Sequence, residues 1–122
     1  MPKTVLVVDD DPFALTLTKD VLVAAGYSII TAANGQLGLD AANAKKPDLI
    51  LLDVMMPKMD GYTTLNMLKS NPSTKQIPVI MVTAVGYELN KTLAVNMGSV
   101  DYITKPIDIK QLRSKVAQFV GA

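Results

Sequence analysis

The sequence predicts an open, doubly wound α/β fold, with five parallel strands each followed by a helix. Three observations predict it. Short apolar runs recur without polar alternation, as strands buried on both faces of a parallel sheet require. Helical patterns with their own caps and stops lie between those runs, and each parallel connection needs a right-handed crossover helix. The 122 residues are one domain's worth of chain, enough to bury roughly two-thirds of the unfolded surface without staples. Together these give one open sheet with helices on both faces, in a single domain spanning residues 1–122.

Each element has its own signal. Val5-Leu6-Val7-Val8 is the first buried run. Asp11 can cap a helix that starts at Pro12 and closes at Gly26. Phe13, Leu17, Val21 and Ala24 fall near helical spacing, with Leu22 and Ala25 beside them. Ser28 to Ala32 is a weaker strand. Asn34 can cap a second helix through Leu37, Ala41 and Ala44, which Pro47 ends. Leu49-Ile50-Leu51-Leu52 is the third strand. A helix from Gly61 to Leu68 follows, broken by Asn71-Pro72-Ser73. The run Ile77-Pro78-Val79-Ile80-Met81-Val82 is the fourth strand, and Tyr87 to Met97 a fourth helix closed by Gly98. Val100 to Ile103 is the weaker fifth strand. Asp108 caps the last helix, with Gln111 in capping-box position and Leu112, Val116, Phe119 and Val120 as its apolar face.

Composition removes whole classes of function. Apolar residues at 49% and charged residues at 19% exclude a disordered chain. With no cysteine there is no disulfide scaffold, thiol nucleophile or thiolate metal site. With no histidine there is no imidazole acid–base chemistry and no imidazole zinc site. Twelve basic and eleven acidic residues give a net charge of +1, so no pull toward nucleic acid or anionic membrane follows. No apolar run approaches the roughly 18 residues of a membrane helix. The opening Met1-Pro2-Lys3-Thr4 lacks a signal-peptide core, so the chain reads as cytosolic.

The remaining chemistry collects at strand ends. Open parallel sheets bind ligands beyond the carboxyl ends of their strands, where the winding reverses. Asp9, Asp10 and Asp11 follow the first run, Asp53 the third, Thr83 the fourth, and Lys105-Pro106 the fifth. Alone, each has a plainer role: Asp11 as a helix cap, Asp53 as a loop start, Thr83 as a strand-end hydroxyl, Lys105 as a surface charge. If the first and third strands are neighbours, Asp9, Asp10 and Asp53 converge. Three carboxylates in one cleft repel one another and take up protons unless a cation joins them. Oxygen-only ligands favour magnesium, with manganese as the alternative. A metal and a lysine around one carboxylate are equipment for phosphoryl transfer.

The segments Val7-Val8-Asp9-Asp10-Asp11, Leu51-Leu52-Asp53-Val54-Met55-Met56-Pro57-Lys58-Met59-Asp60-Gly61, Val82-Thr83-Ala84 and Asp101-Tyr102-Ile103-Thr104-Lys105-Pro106 together resemble the receiver (CheY-like) domain of two-component response regulators. The resemblance runs through essentially the whole chain, in order. It implies a flavodoxin-like (βα)5 sandwich with strand order 2-1-3-4-5. It implies that Asp53 accepts a phosphoryl group from a phosphohistidine on a sensor histidine kinase or histidine phosphotransfer protein. Asp10, Asp53 and the Met55 carbonyl would hold Mg2+, with Asp9 acting largely through water. Lys105 would contact the acyl phosphate, Thr83 would hydrogen-bond it, and Tyr102 matches the aromatic switch position. The Lys105-Pro106 bond is expected to be cis. The chain is then not an enzyme in the ordinary sense, but a phosphoacceptor that promotes its own phosphorylation and dephosphorylation.

Phosphorylation adds roughly two negative charges and three acceptors at Asp53. Thr83 gains a partner, Tyr102 can turn inward, and the face of the fourth helix, fifth strand and last helix changes for a protein output partner. Ligation shifts an existing population. No output domain and no DNA-binding module is expected within these residues. Two other readings stay open. One is a magnesium-dependent phosphohydrolase or Toprim-like enzyme. It lacks a usable Asp-x-Asp continuation at Asp9 and an early glutamate, Glu88 being the only one. The other is a degenerate receiver serving as an interaction scaffold.

Overall fold

The structure is a computed structural model, and it describes residues 2–56, 59–84 and 95–120. Five strands form one parallel sheet: β1 (Thr4–Val8), β2 (Ser28–Ala32), β3 (Leu49–Asp53), β4 (Val79–Ala84) and β5 (Asp101–Lys105). Their order is β2-β1-β3-β4-β5. The described helices are α1 (Pro12–Ala24), α2 (Gly35–Lys45), α3 (Gly61–Ser70) and α4 (Ile109–Val120). The predicted helix from Tyr87 to Met97 falls mostly on residues 85–94, outside the described residues. The winding reverses between β1 and β3, and that crevice places the site.

Alternation along the strands sorts two cores. Leu6, Val8, Ile50, Leu52, Val79 and Met81 pack on one face with Ala42, Leu65 and Leu68 of α2 and α3. Val5, Val7, Leu49, Leu51, Ile80, Val82 and Ile103 pack on the other with Leu22 of α1 and Leu112 and Val116 of α4. β3 is buried at all five residues, as its unalternated run requires for the middle of a sheet covered on both sides.

The caps stand where the sequence puts them. Asp11 Oδ1 accepts from the Phe13 N–H, Asn34 Oδ1 from the Leu37 N–H and Asp108 Oδ1 from the Gln111 N–H. Gly26 and Gly98 close turns at φ 99° and 107°, where other residues are strained. The Lys105-Pro106 bond is cis. α2 stops at Lys45, two residues before Pro47, because Lys46 takes a left-handed conformation at φ 47°.

Four expectations are corrected. The core face of α1 is Leu15, Thr18, Val21 and Leu22, whereas Phe13 is 77% exposed and Leu17 and Val23 also face solvent. Val21 and Leu22 are core residues as expected, while Phe13 and Leu17 give way to Leu15 and Thr18, because a threonine carries little hydrophobic signal. In α2 likewise, Leu37 is exposed while Gly35, Gly38 and Ala42 are buried. A Cβ on Gly38 would lie 2.9 Å from Val8 Cγ2, so this helix approaches β1 through small residues. Strand ends also shift. Asp53, Thr83 and Lys105 lie inside β3, β4 and β5. Backbone pairing continues after the apolar run stops, with Asp53 opposite Val82, Thr83 opposite Thr104 and Ala84 opposite Lys105. β4 starts at Val79, because Pro78 has no N–H to give the ladder. Among the described residues no helix is long and apolar enough to cross a membrane.

Candidate functional site

Adjacency of β1 and β3 brings the carboxylates of Asp9, Asp10 and Asp53 together, with one oxygen of each within 4.8 Å of the others. Asp9 directly follows β1 and its N–H donates to the Ala32 carbonyl at 3.1 Å, which fixes it to the end of β2. Its Oδ1 accepts from the Asp11 N–H at 2.9 Å. Asp53 ends β3 and is 3% exposed. Its Oδ1 accepts from the Met55 N–H at 3.3 Å. Asp10 is exposed.

One cation enters from across the sheet. Lys105 Nζ lies 3.2 Å from Asp9 Oδ2 and 3.4 Å from Asp53 Oδ2. By the two-residue period of strands, Asp9, Asp53 and Lys105 all share the α1/α4 face. Thr83 shares the opposite face with Met81, which pairs with Tyr102. Thr83 Oγ1 is buried and, among the described residues, has no hydrogen-bond partner. Such an orphaned hydroxyl is costly to keep and stands ready for a new acceptor. Tyr102 is half-buried against the α2/α3 core, with Lys115 Nζ 4.9 Å from its ring centroid.

The electrostatics follow from burial. Desolvation and the neighbouring Asp9 push the Asp53 carboxyl up to about 6, against Lys105 and the Met55 N–H, which pull it down. Burial would lower the Lys105 ammonium, but Asp53 and Asp9 together outweigh it and hold the pKa above the ordinary range. One ammonium thus serves two carboxylates, with Asp10 beside them. This is an oxygen-rich, electron-rich cleft with room for further positive charge, and its donors suit a hard divalent cation.

Asp53→Asn is therefore expected to stabilise the protein in chelator. Asp53 has a folded pKa above its unfolded value, so the native state binds more protons than the unfolded chain between about 4 and 6. Its ionisation opposes folding, and stability falls as pH rises through that window. The variant should gain about 2 kcal/mol at pH 7.5 and about a third of that at pH 4.5. Urea denaturation at the two pH values measures this, and an equal gain at both would contradict it.

Gly61 belongs to the site through its backbone. A Cβ there would fall on the Asp53 carbonyl oxygen and lie 2.7 Å from Val54 Cα. The sequence marks Gly61 only as the start of a helix and the end of a motif segment. Lys115 is not marked at all, since a lysine on an amphipathic helix carries no local motif. Among the predicted residues, Asp9, Asp10, Asp53 and Lys105 meet in one cluster. Met55 touches it through its N–H, with its side chain exposed. Thr83 and Tyr102 stand on the other face of the sheet.

Comparisons with known proteins agree with this geometry. A family model described as the response regulator receiver domain matches residues 5–117. The alkaline phosphatase synthesis transcriptional regulatory protein PhoP of Bacillus subtilis is 40% identical over 116 residues, covering 95% of this chain and 48% of that protein. The response regulator PleD of Caulobacter vibrioides is 40% identical over 116 residues, 26% of its length. The chain thus spans half or less of the length of these relatives. Among solved structures, chemotaxis protein CheY4 of Vibrio cholerae superposes with a TM-score of 0.92 at 27% identity, covering 98% of this chain and 99% of that one. The receiver domain of Francisella response regulator 1452 gives 0.90 at 32%, covering 98% and 97%. Sheet order, strand-end chemistry and these matches converge, and the chain belongs to the response regulator receiver domain family.

Proposed function

We propose that the chain is a phosphoryl-accepting switch with Asp53 as acceptor. The observation that carries this reading is the buried Asp53 carboxylate with Lys105 Nζ 3.4 Å from its Oδ2 and two further aspartates beside it. An Asp53 oxygen attacks the phosphorus of a phosphohistidine on a histidine kinase or histidine phosphotransfer protein. The O–P bond forms as the P–N bond breaks. The electron pair returns to the imidazole nitrogen, which takes a proton from water. Lys105 neutralises charge on the phosphoryl oxygens, and the Thr83 hydroxyl donates to one of them. The switch resets when water attacks the same phosphorus and inorganic phosphate leaves, restoring the Asp53 carboxylate.

Magnesium, or manganese in its place, would be held by Asp10, Asp53 and the Met55 carbonyl, with Asp9 acting through water, and supplies charge neutralisation when bound. Phosphorylation draws Thr83 toward Asp53 and shifts Tyr102, which changes the β5 and α4 surface for a protein output partner. We place this activity in the cytoplasm. The transcriptional role named for PhoP is that protein's own.

Intact mass after incubation with acetyl phosphate and magnesium tests this. Wild type should gain one phosphoryl group and Asp53→Asn none. If a phosphorylated histidine donor also left wild type unmodified, the interaction-scaffold reading would replace this one.

A further inference from the structure

β5 is an edge strand of the open sheet, and an edge exposes backbone donors and acceptors that must be covered. At Tyr102 both are covered by side chains. The Tyr102 N–H donates to Asp101 Oδ1 at 2.7 Å, and its carbonyl accepts from Lys115 Nζ at 2.8 Å. The same ammonium lies 3.0 Å from Asp101 Oδ1 and 4.9 Å from the Tyr102 ring centroid. Tyr102 packs on the α2/α3 core, whereas α4, which carries Lys115, packs on the other. Lys115 therefore reaches around the open edge of the sheet to grip a residue of the opposite face. Asp101 and Lys115 are each only about one-fifth exposed at the side chain, so solvent screens the grip incompletely.

We propose that Lys115 is a positioning residue for the switch: held by Asp101, its ammonium stabilises the Tyr102 ring in the conformer seen here and sets the resting end of the equilibrium that phosphorylation shifts. The inference rests on the switch reading of Asp53 and Tyr102. A ligand moves such an equilibrium only by its differential affinity for the two states. The cation on the ring favours one state alone, because the backbone contacts at Tyr102 persist whichever way the ring turns. Removing it is expected to raise the population of the other ring state about threefold, the scale of one partly exposed cation–π contact.

The test is 19F NMR of protein labelled with 3-fluorotyrosine, with the Tyr102 resonance assigned by Tyr102→Phe. Lys115→Met keeps the apolar stem and drops the charge. It should move the Tyr102 resonance in the unphosphorylated protein toward the position it takes after acetyl phosphate treatment. Lys115→Arg, which keeps a cation able to stack on the ring, should restore the wild-type position. Asp101→Asn should move the resonance in the same direction as Lys115→Met. A Tyr102 resonance unchanged in Lys115→Met, or a loss of stability without a shift, would overturn the proposal and leave Lys115 as an edge cover only. Failure of the Asp53 reading is seen separately, as wild-type protein that takes up no phosphoryl group by mass.

Discussion

Lys105→Met should lower the rate of phosphoryl uptake from acetyl phosphate by about 100-fold or more, the usual loss when one preorganised charge-stabilising donor is removed. It should also destabilise the chelated protein, unlike Asp53→Asn. Lys105 is the cation that Asp9 and Asp53 share, at 3.2 and 3.4 Å, and its side chain is 29% exposed. Taking one partner from a largely buried pair leaves the other charge uncompensated. The expected loss is about 2 kcal/mol at pH 8, below the fully buried figure because water reaches the ammonium. The raised Lys105 pKa keeps it charged in the wild type from pH 5 to 8, so its contribution is present throughout that range. In the variant the Asp53 carboxyl rises further, since burial and Asp9 still push it up and nothing opposes them but the Met55 N–H. The native state then binds still more protons than the unfolded chain, and stability falls more steeply as pH rises. The deficit against wild type should shrink by half or more at pH 5. The double variant with Asp53→Asn should recover part of the loss, because the Asp53 charge is gone while Asp9 stays without its cation. A deficit equal at pH 5 and pH 8 would show that Lys105 acts through packing of its stem and not through charge.

How far this site can be read from sequence depends on the kind of residue. Asp9 and Asp53 are legible because the end of a buried apolar run marks the end of a central strand, and Lys105 because it follows the weaker run of the edge strand β5; in a parallel sheet all such ends lie on one edge. The strand bounds are less legible. Backbone pairing carries on through Asp53, Thr83 and Lys105, since a ladder depends on main-chain groups and not on side-chain polarity. The helices show the opposite weakness. In α1 the exposed Phe13 and Leu17 imitate a core stripe while Thr18 is buried. In α2 the contact surface is made by Gly35, Gly38 and Ala42, which carry little hydrophobic signal. Lys115 is invisible for another reason: its partners Asp101 and Tyr102 lie 14 and 13 residues away. Only the return of α4 along the sheet edge brings them together.

Gly61→Ala is expected to cost about 2–3 kcal/mol, despite placing a better helix former at the first residue of α3. Propensity alone would make alanine favourable by up to about 1 kcal/mol, so the sign of the change decides between local and tertiary control. The added Cβ would meet main chain only: the Asp53 carbonyl oxygen, Val54 Cα at 2.7 Å and the Asp53 carbonyl carbon at 3.0 Å. A flexible side chain could swing away, but these atoms are tied on both sides. The Val54 N–H donates to the Val82 carbonyl at 2.9 Å, and the Val54 carbonyl accepts from the Gly61 N–H at 3.0 Å. Relief must come from moving the start of α3 or the end of β3. Moving α3 strains the Asp60 cap, whose Oδ1 accepts from the Thr63 N–H at 2.8 Å, and lifts the buried Leu65 and Leu68 from the core. Moving β3 displaces Asp53 from Lys105. The variant should therefore lose phosphoryl uptake as well as stability, by about tenfold at a temperature where it is still folded, since sub-ångström misplacement of a reacting group is costly. Urea midpoints and uptake rates on the same preparation check both. A stability equal to or above wild type would mean that α3 shifts freely at its start, and that Gly61 does not fix the position of Asp53.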